Sequence, residues 1–128
     1  MNIKNYKLFK RKYATFDKNG LAKEYGLFDN KLIYEGEYLN SERNGKGKEY
    51  NNNGQLKYEG EYLNWARNGK GKEYNNKGKL IFEGEFQDSA RWNGKGIQYD
   101  FEGNFVYEFI CLFGEEIRIK NKISIKDN

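Results

Sequence analysis

Histidine and proline are absent from this 128-residue sequence, and cysteine occurs once, at position 111. Without histidine there is no imidazole base, no Ser–His or Cys–His nucleophile pair and no histidine metal ligand. A single cysteine excludes an internal disulfide framework and a multi-cysteine zinc site. It lies in the run Phe109-Ile110-Cys111-Leu112-Phe113, which predicts a buried, structural thiol. No apolar stretch approaches the ~18 residues of a membrane-spanning helix. The opening Met1-Asn2-Ile3-Lys4 lacks the apolar centre of a secretory signal. These absences predict a cytoplasmic protein, with peripheral attachment to a membrane as the alternative. They predict no catalytic residue, no cofactor and no metal. The Gly45-Lys46-Gly47 segment is not a phosphate loop, since no Gly-Lys-Ser/Thr and helix follow it.

What the chain has instead is aromatic and charged. Apolar residues make up 37%, too few for a thick core, yet Phe, Tyr and Trp reach 17%, too many for a typical disordered chain. A repetitive structure that buries rings without a second layer reconciles the two. Three in-phase copies are visible, with a period of 24 residues and one extra residue in the third. They run from Tyr34-Glu35-Gly36-Glu37-Tyr38 to Asn44-Gly45-Lys46-Gly47, from Tyr58-Glu59-Gly60-Glu61-Tyr62 to Asn68-Gly69-Lys70-Gly71, and from Phe82-Glu83-Gly84-Glu85-Phe86 to Asn93-Gly94-Lys95-Gly96. The repeats span 34–57, 58–81 and 82–106. A degenerate copy at 9–33 precedes them, and a partial copy with a terminal cap at 107–128 follows, all within one domain over 1–128.

Each copy holds two alternating stretches and two turn signals, so the fold class is all-β: one elongated, twisted antiparallel meander of tandem hairpins. A two-residue turn at Asn53-Gly54 and a four-residue loop at 40–43 set a register. In it Ala22, Gly36, Gly47, Gly60, Gly71, Gly84, Gly96 and Phe109 form one row, flanked by facing Glu and Lys. Alternation separates a ring face, bearing Tyr34 and Tyr38, from a face of Glu and Lys columns. Rings of Tyr38, Tyr62 and Phe86 are expected to lie over the bare glycines. Such a ring face should not stay wet. Terminal strands around Ile117, Ile119, Ile123 and Ile125, or a homodimer, are expected to cover it.

The residues Tyr34-Glu-Gly36 with Asn44-Gly45-Lys-Gly47, and their copies, resemble the MORN (membrane occupation and recognition nexus) repeat. The likeness covers 34–106 fully and 9–33 and 107–114 in part. It implies a single twisted sheet of stacked hairpins that serves scaffolding, partner binding or dimerisation. Attachment to anionic membranes is a further implication.

Two groups are candidates for binding. Arg43, Arg67 and Arg91 recur at similar loop positions, joined by Trp65 and Trp92. They form either a partner-binding row or a solvated fringe with tryptophans folded over their hairpins. Residues 1–23 carry seven positive charges against Asp17, whereas 34–106 carry 11 positive and 12 negative. Lys10, Arg11, Lys12 and Lys23 therefore suit an acidic protein or an anionic lipid surface, or protect an edge strand from further pairing. Nucleic acid ranks below these as a partner. Carboxylate pairs such as Glu35 and Glu37 recur opposite lysines and read as a surface ladder rather than an acid–base pair.

Overall fold

The structure, a computed structural model, describes residues 7–9 and 12–121. Lys10, Arg11, Ile123 and Ile125 lie outside the described residues. Eleven strands join in chain order in one open antiparallel sheet. They are β1 (Lys7–Phe9), β2 (Lys12–Phe16), β3 (Leu21–Gly26), β4 (Leu32–Leu39), β5 (Glu42–Tyr50), β6 (Leu56–Leu63), β7 (Ala66–Tyr74), β8 (Leu80–Gln87), β9 (Ala90–Tyr99), β10 (Phe105–Leu112) and β11 (Glu115–Asn121). The meander of hairpins is as expected.

Turn chemistry alternates along the chain. At one margin of the sheet stand Asn40-Ser41, Asn64-Trp65, Asp88-Ser89 and Phe113-Gly114, each with positive φ at both residues. These are two-residue turns whose twist suits a hairpin, so the loop expected at 40–43 is shorter, and Glu42 and Arg43 belong to β5. The slack is taken up within the strands. Tyr38 faces Arg43 and Gly36 faces Gly47, which leaves Glu37 against a bulge at Asn44, Gly45 and Lys46 instead of paired with Lys46. Gly45 and Gly69 take φ of 95° and 99° in their bulges, a conformation glycine tolerates. In the second copy the Glu61 carboxylate accepts the Lys70 N–H at 2.7 Å.

At the other margin the expected two-residue Asn53-Gly54 turn is a longer one. The Gly54 N–H donates to the Asn51 carbonyl at 2.9 Å, and Gly54 has φ 79°. The Asn51 Oδ1 accepts the N–H groups of Asn53 and Gln55. Asn75 and Asp100 hold their turns the same way, and so does Asp17 in the turn before β3. An Asn or Asp three residues before a glycine is the signal, because its short side chain satisfies two turn amides.

The glycine row forms as expected from Ala22 through Gly36, Gly47, Gly60 and Gly71 to Gly84. Beyond it the register departs. At β8–β9 Gly84 faces Gly94 and Gly96 faces Phe82, whereas at β9–β10 Gly96 faces Phe109 as expected. The bulge between Glu85 and Phe86, opposite Asn93 and Arg91, leaves only Trp92 unpaired, where the bulges of the earlier copies take up two residues, so the extra residue of the third copy and the shorter bulge together move the later glycine two positions along.

Rings fill the core. Phe16, Tyr38, Tyr34, Tyr62, Tyr58, Phe86, Phe82, Phe109 and Tyr107 form a continuous line, with consecutive centroids 5.1–6.4 Å apart. Most meet edge to face, a favoured quadrupole geometry. The rings over glycine are not those of Tyr38, Tyr62 and Phe86. A Cβ added to Gly47 or Gly71 would collide with the Tyr34 or Tyr58 ring, and one added to Gly96 with Phe109. Tyr34 and Tyr58 cross to the bare strand and donate their hydroxyls to the Glu37 and Glu61 carbonyls at 3.1 and 3.2 Å. Tyr38, Tyr62 and Phe86 stand beside them. Cys111 is buried, as its setting predicts.

Candidate functional site

The ring face carries a second line, of charges. Arg43, Arg67 and Arg91 lie on β5, β7 and β9, not in an exposed loop row, and turn inward over the rings. Their guanidinium carbons sit 4.3, 4.3 and 5.1 Å from the centroids of Tyr34, Tyr58 and Phe82. Each reaches a carboxylate two strands back. Arg43 grips Glu24 through Nε at 2.7 Å and NH2 at 2.8 Å. Arg67 grips Glu49 at 2.9 and 3.1 Å, and Arg91 Nε meets Glu73 at 2.7 Å. Longer links from Arg43 to Glu49 and from Arg67 to Glu73, at 3.9 and 3.6 Å, join the pairs. Lys12, 2.9 Å from Glu24, completes the chain Lys12–Glu24–Arg43–Glu49–Arg67–Glu73–Arg91. It stops there because Gln98 stands where the next glutamate would be.

This chain covers the rings. Tyr34, Tyr58 and Phe82 are fully buried within one layer and one polypeptide. Burial of these rings therefore needs neither the terminal strands nor a homodimer, and Ile117 and Ile119 are exposed. Long arginine side chains, apolar along the stem and planar at the head, replace a second layer. The aromatic rows were legible in the sequence; the partner glutamates were not. Their signal was present, since Glu49 and Glu73 recur with the period of Arg43 and Arg67 on the same side of the pleat.

Trp65 occupies the second position of its turn at φ 76°. Its ring covers the preceding hairpin rather than its own, 5.6 Å from Tyr38, with Lys12 and Arg43 at 5.4 and 5.9 Å. It thereby shields the Glu24 end of the chain. Trp92 lies in the β9 bulge and meets Phe113 edge to face at 6.1 Å. Lys12 and Lys23 do not form one patch. Lys12 faces Gly26 and serves Glu24 on the ring face, whereas Lys23 faces Thr15 and Glu35 on the other.

Burial opposes ionisation of Glu24, but the hydrogen bonds and charge of Arg43, then Tyr38 and Lys12, outweigh it and hold the carboxyl below 4.5. Glu49 is lowered in the same way by Arg67, Tyr62 and Arg43 against its burial. Carboxylates depressed on folding contribute stability that is present above their unfolded pKa. That contribution is lost as pH falls through the folded pKa. The melting temperature is therefore expected to hold from pH 7 to about 5 and to drop steeply below about 4. A melting temperature unchanged down to pH 3 would contradict these assignments.

The opposite face is a groove of about 1280 Å³ that crosses β2 to β8. Its floor includes Gly36, Gly47, Gly60, Gly71 and Gly84. Charge sign alternates strand by strand: Glu35 on β4, Lys46 and Lys48 on β5, Glu59 and Glu61 on β6, Lys70 and Lys72 on β7, Glu83 and Glu85 on β8. Register sets Glu59 against both Lys48 and Lys72. Tyr50 and Tyr74 donate to Glu35 and Glu59, the second at 2.9 Å. Among the described residues no group of three acidic, His or Cys side chains is placed to hold a metal, and no helix is long and apolar enough to cross a membrane. No family model matches the chain, and no curated protein matches it in sequence.

Proposed function

We propose that the chain is a non-catalytic protein-interaction or scaffold module of MORN-like repeats, and that it receives its partner in the glycine-floored groove. The observation that carries this reading is the groove itself, an open surface crossed by alternating acidic and basic strands. A segment whose charges change sign about every strand width (~5 Å), so that like charges recur about every two (~10 Å), complements it. A strongly acidic or basic partner meets as many like charges as opposite ones. The ring face is a poorer candidate, because its arginines are already engaged by Glu24, Glu49 and Glu73.

The test is capture from the native source with the full chain and with a Lys48→Glu, Lys72→Glu variant, each checked for fold by circular dichroism. Proteins retained by the parent and lost by the variant are expected. The same set on both would remove the groove from consideration. Co-sedimentation with anionic liposomes, run in parallel, addresses peripheral lipid binding through the basic N-terminal residues. Strong lipid binding with no protein captured would favour that alternative.

A further inference from the structure

The charges of the groove form two rows that run across the strands. One passes from Lys23 and Glu35 through Lys48, Glu59 and Lys72 to Glu83. Each faces the next across the ladder, so the sign changes at every strand from β3 to β8. The other row lies two residues along, about 6.8 Å away, and sets Lys46 against Glu61 and Lys70 against Glu85. The glycine floor runs between them. Among the described residues the ion pairs all lie on the ring face. Lys46, Lys48, Lys70 and Lys72 are exposed and pair with no carboxylate, although glutamates stand opposite them. Beyond the second row Leu39 and Leu63 share this face two strands apart, 58% and 48% exposed.

We propose that the partner's segment is an amphipathic α-helix lying along the groove with opposite charges on successive turns, which presupposes the groove as the partner-binding surface. Strands are spaced about 4.8 Å apart and helical turns about 5.4 Å, so one turn meets each strand. Seven helical residues rise about 10.5 Å, against about 9.6 Å for two strands. From β3 to β8 the mismatch accumulates to about 3 Å, which long lysine side chains can absorb. An extended peptide returns a side chain to one face about every 6.8 Å and falls out of step within two strands. A polyproline helix returns about every 9.3 Å and addresses only every second strand. Acidic residues seven apart over β5 and β7, with a basic residue between them over β6, satisfy the charges. Apolar residues on one flank, again seven apart, meet Leu39 and Leu63.

The test uses the full chain and three synthetic peptides of about 20 residues, long enough to cross six strands. The first alternates Glu and Lys on successive turns beside a leucine flank. The second has the same composition with Glu in one half and Lys in the other. The third is the first with a central proline that breaks the helix. The first is expected to bind and gain helicity by circular dichroism, and the other two to bind at least about tenfold more weakly by calorimetry. It should also protect Lys48 and Lys72 from acetylation while leaving Lys57 and Lys77 reactive. Glu59→Lys, which gives β5 to β7 one sign in the first row, should weaken the first peptide about tenfold. Equal affinity for the first two peptides would overturn the proposal, as would undiminished binding of the third or unprotected groove lysines. Should no peptide bind while the Lys48→Glu, Lys72→Glu variant still loses captured proteins, the helix is overturned and the groove stands. Unchanged capture with that variant removes both.

Discussion

Glu24→Ala is expected to lower the free energy of unfolding by about 3–5 kcal/mol, the usual consequence of stranding one partner of a buried ion pair. The Glu24 side chain is wholly inaccessible, and Arg43 retains only 11% of its side-chain exposure. Truncation would leave the Arg43 guanidinium over the Tyr34 ring with Glu49 as its nearest carboxylate, 3.9 Å away. The Tyr38 hydroxyl and Lys12 would lose their acceptor as well. At the other end of the chain Arg91 and Glu73 are 32% and 20% exposed, so water screens that pair and Arg91→Ala should cost only about 1 kcal/mol in charge terms. Replacing both Glu24 and Arg43 by Leu and Met should recover much of the loss, since it is the unpaired charge that is expensive. Urea denaturation of the single and double variants decides it. A Glu24→Ala cost near that of Arg91→Ala would mean that the chain is wet along its whole length.

Gly60→Val should cost about 3 kcal/mol, at the upper end for overpacking, despite valine's preference for strands. The obstruction is mostly backbone. A Cβ on Gly60 would lie 2.5 Å from the Gly71 Cα, 2.5 Å from the Lys70 carbonyl oxygen and 2.5 Å from the Tyr58 hydroxyl. The hydroxyl could move, but the two backbone atoms belong to the paired strand and cannot retreat without opening the ladder. Gly78→Ala provides the contrast. It has open space around it but a φ of 80°, so only the left-handed backbone penalty of about 1–2 kcal/mol applies. Equal melting temperatures for the two variants would show that the strands separate more easily than this packing implies.

The sequence carried the register of β4 to β8 because two independent patterns agreed there: glycine against glycine, and Glu59 against Lys48 and Lys72. It misjudged β8 against β9 because the inserted residue offered no sign of which strand position would bulge. Turn lengths were read too long at 40–43 and too short at Asn53-Gly54. The bulge glycines Gly45 and Gly69, and the turn side chains Asn51 and Asn75, absorb chain length in ways that a count of residues between strands does not reveal.

What the sequence determined by itself was the class of fold, the pairing of most strands and the division into two faces, since period-two alternation and repeated turn residues act locally. It also marked the arginines, tryptophans and basic N-terminal residues as unusual. Only the tertiary structure decided what those side chains do. An arginine on β5 reaches past β4 to Glu24 on β3, and Trp65 folds onto the hairpin before its own. Both depend on side-chain length and on the curvature of a sheet that sequence spacing does not specify. The same curvature makes one face a groove, and lets the other bury Tyr34 and Tyr58 beneath a line of paired charges without a second layer.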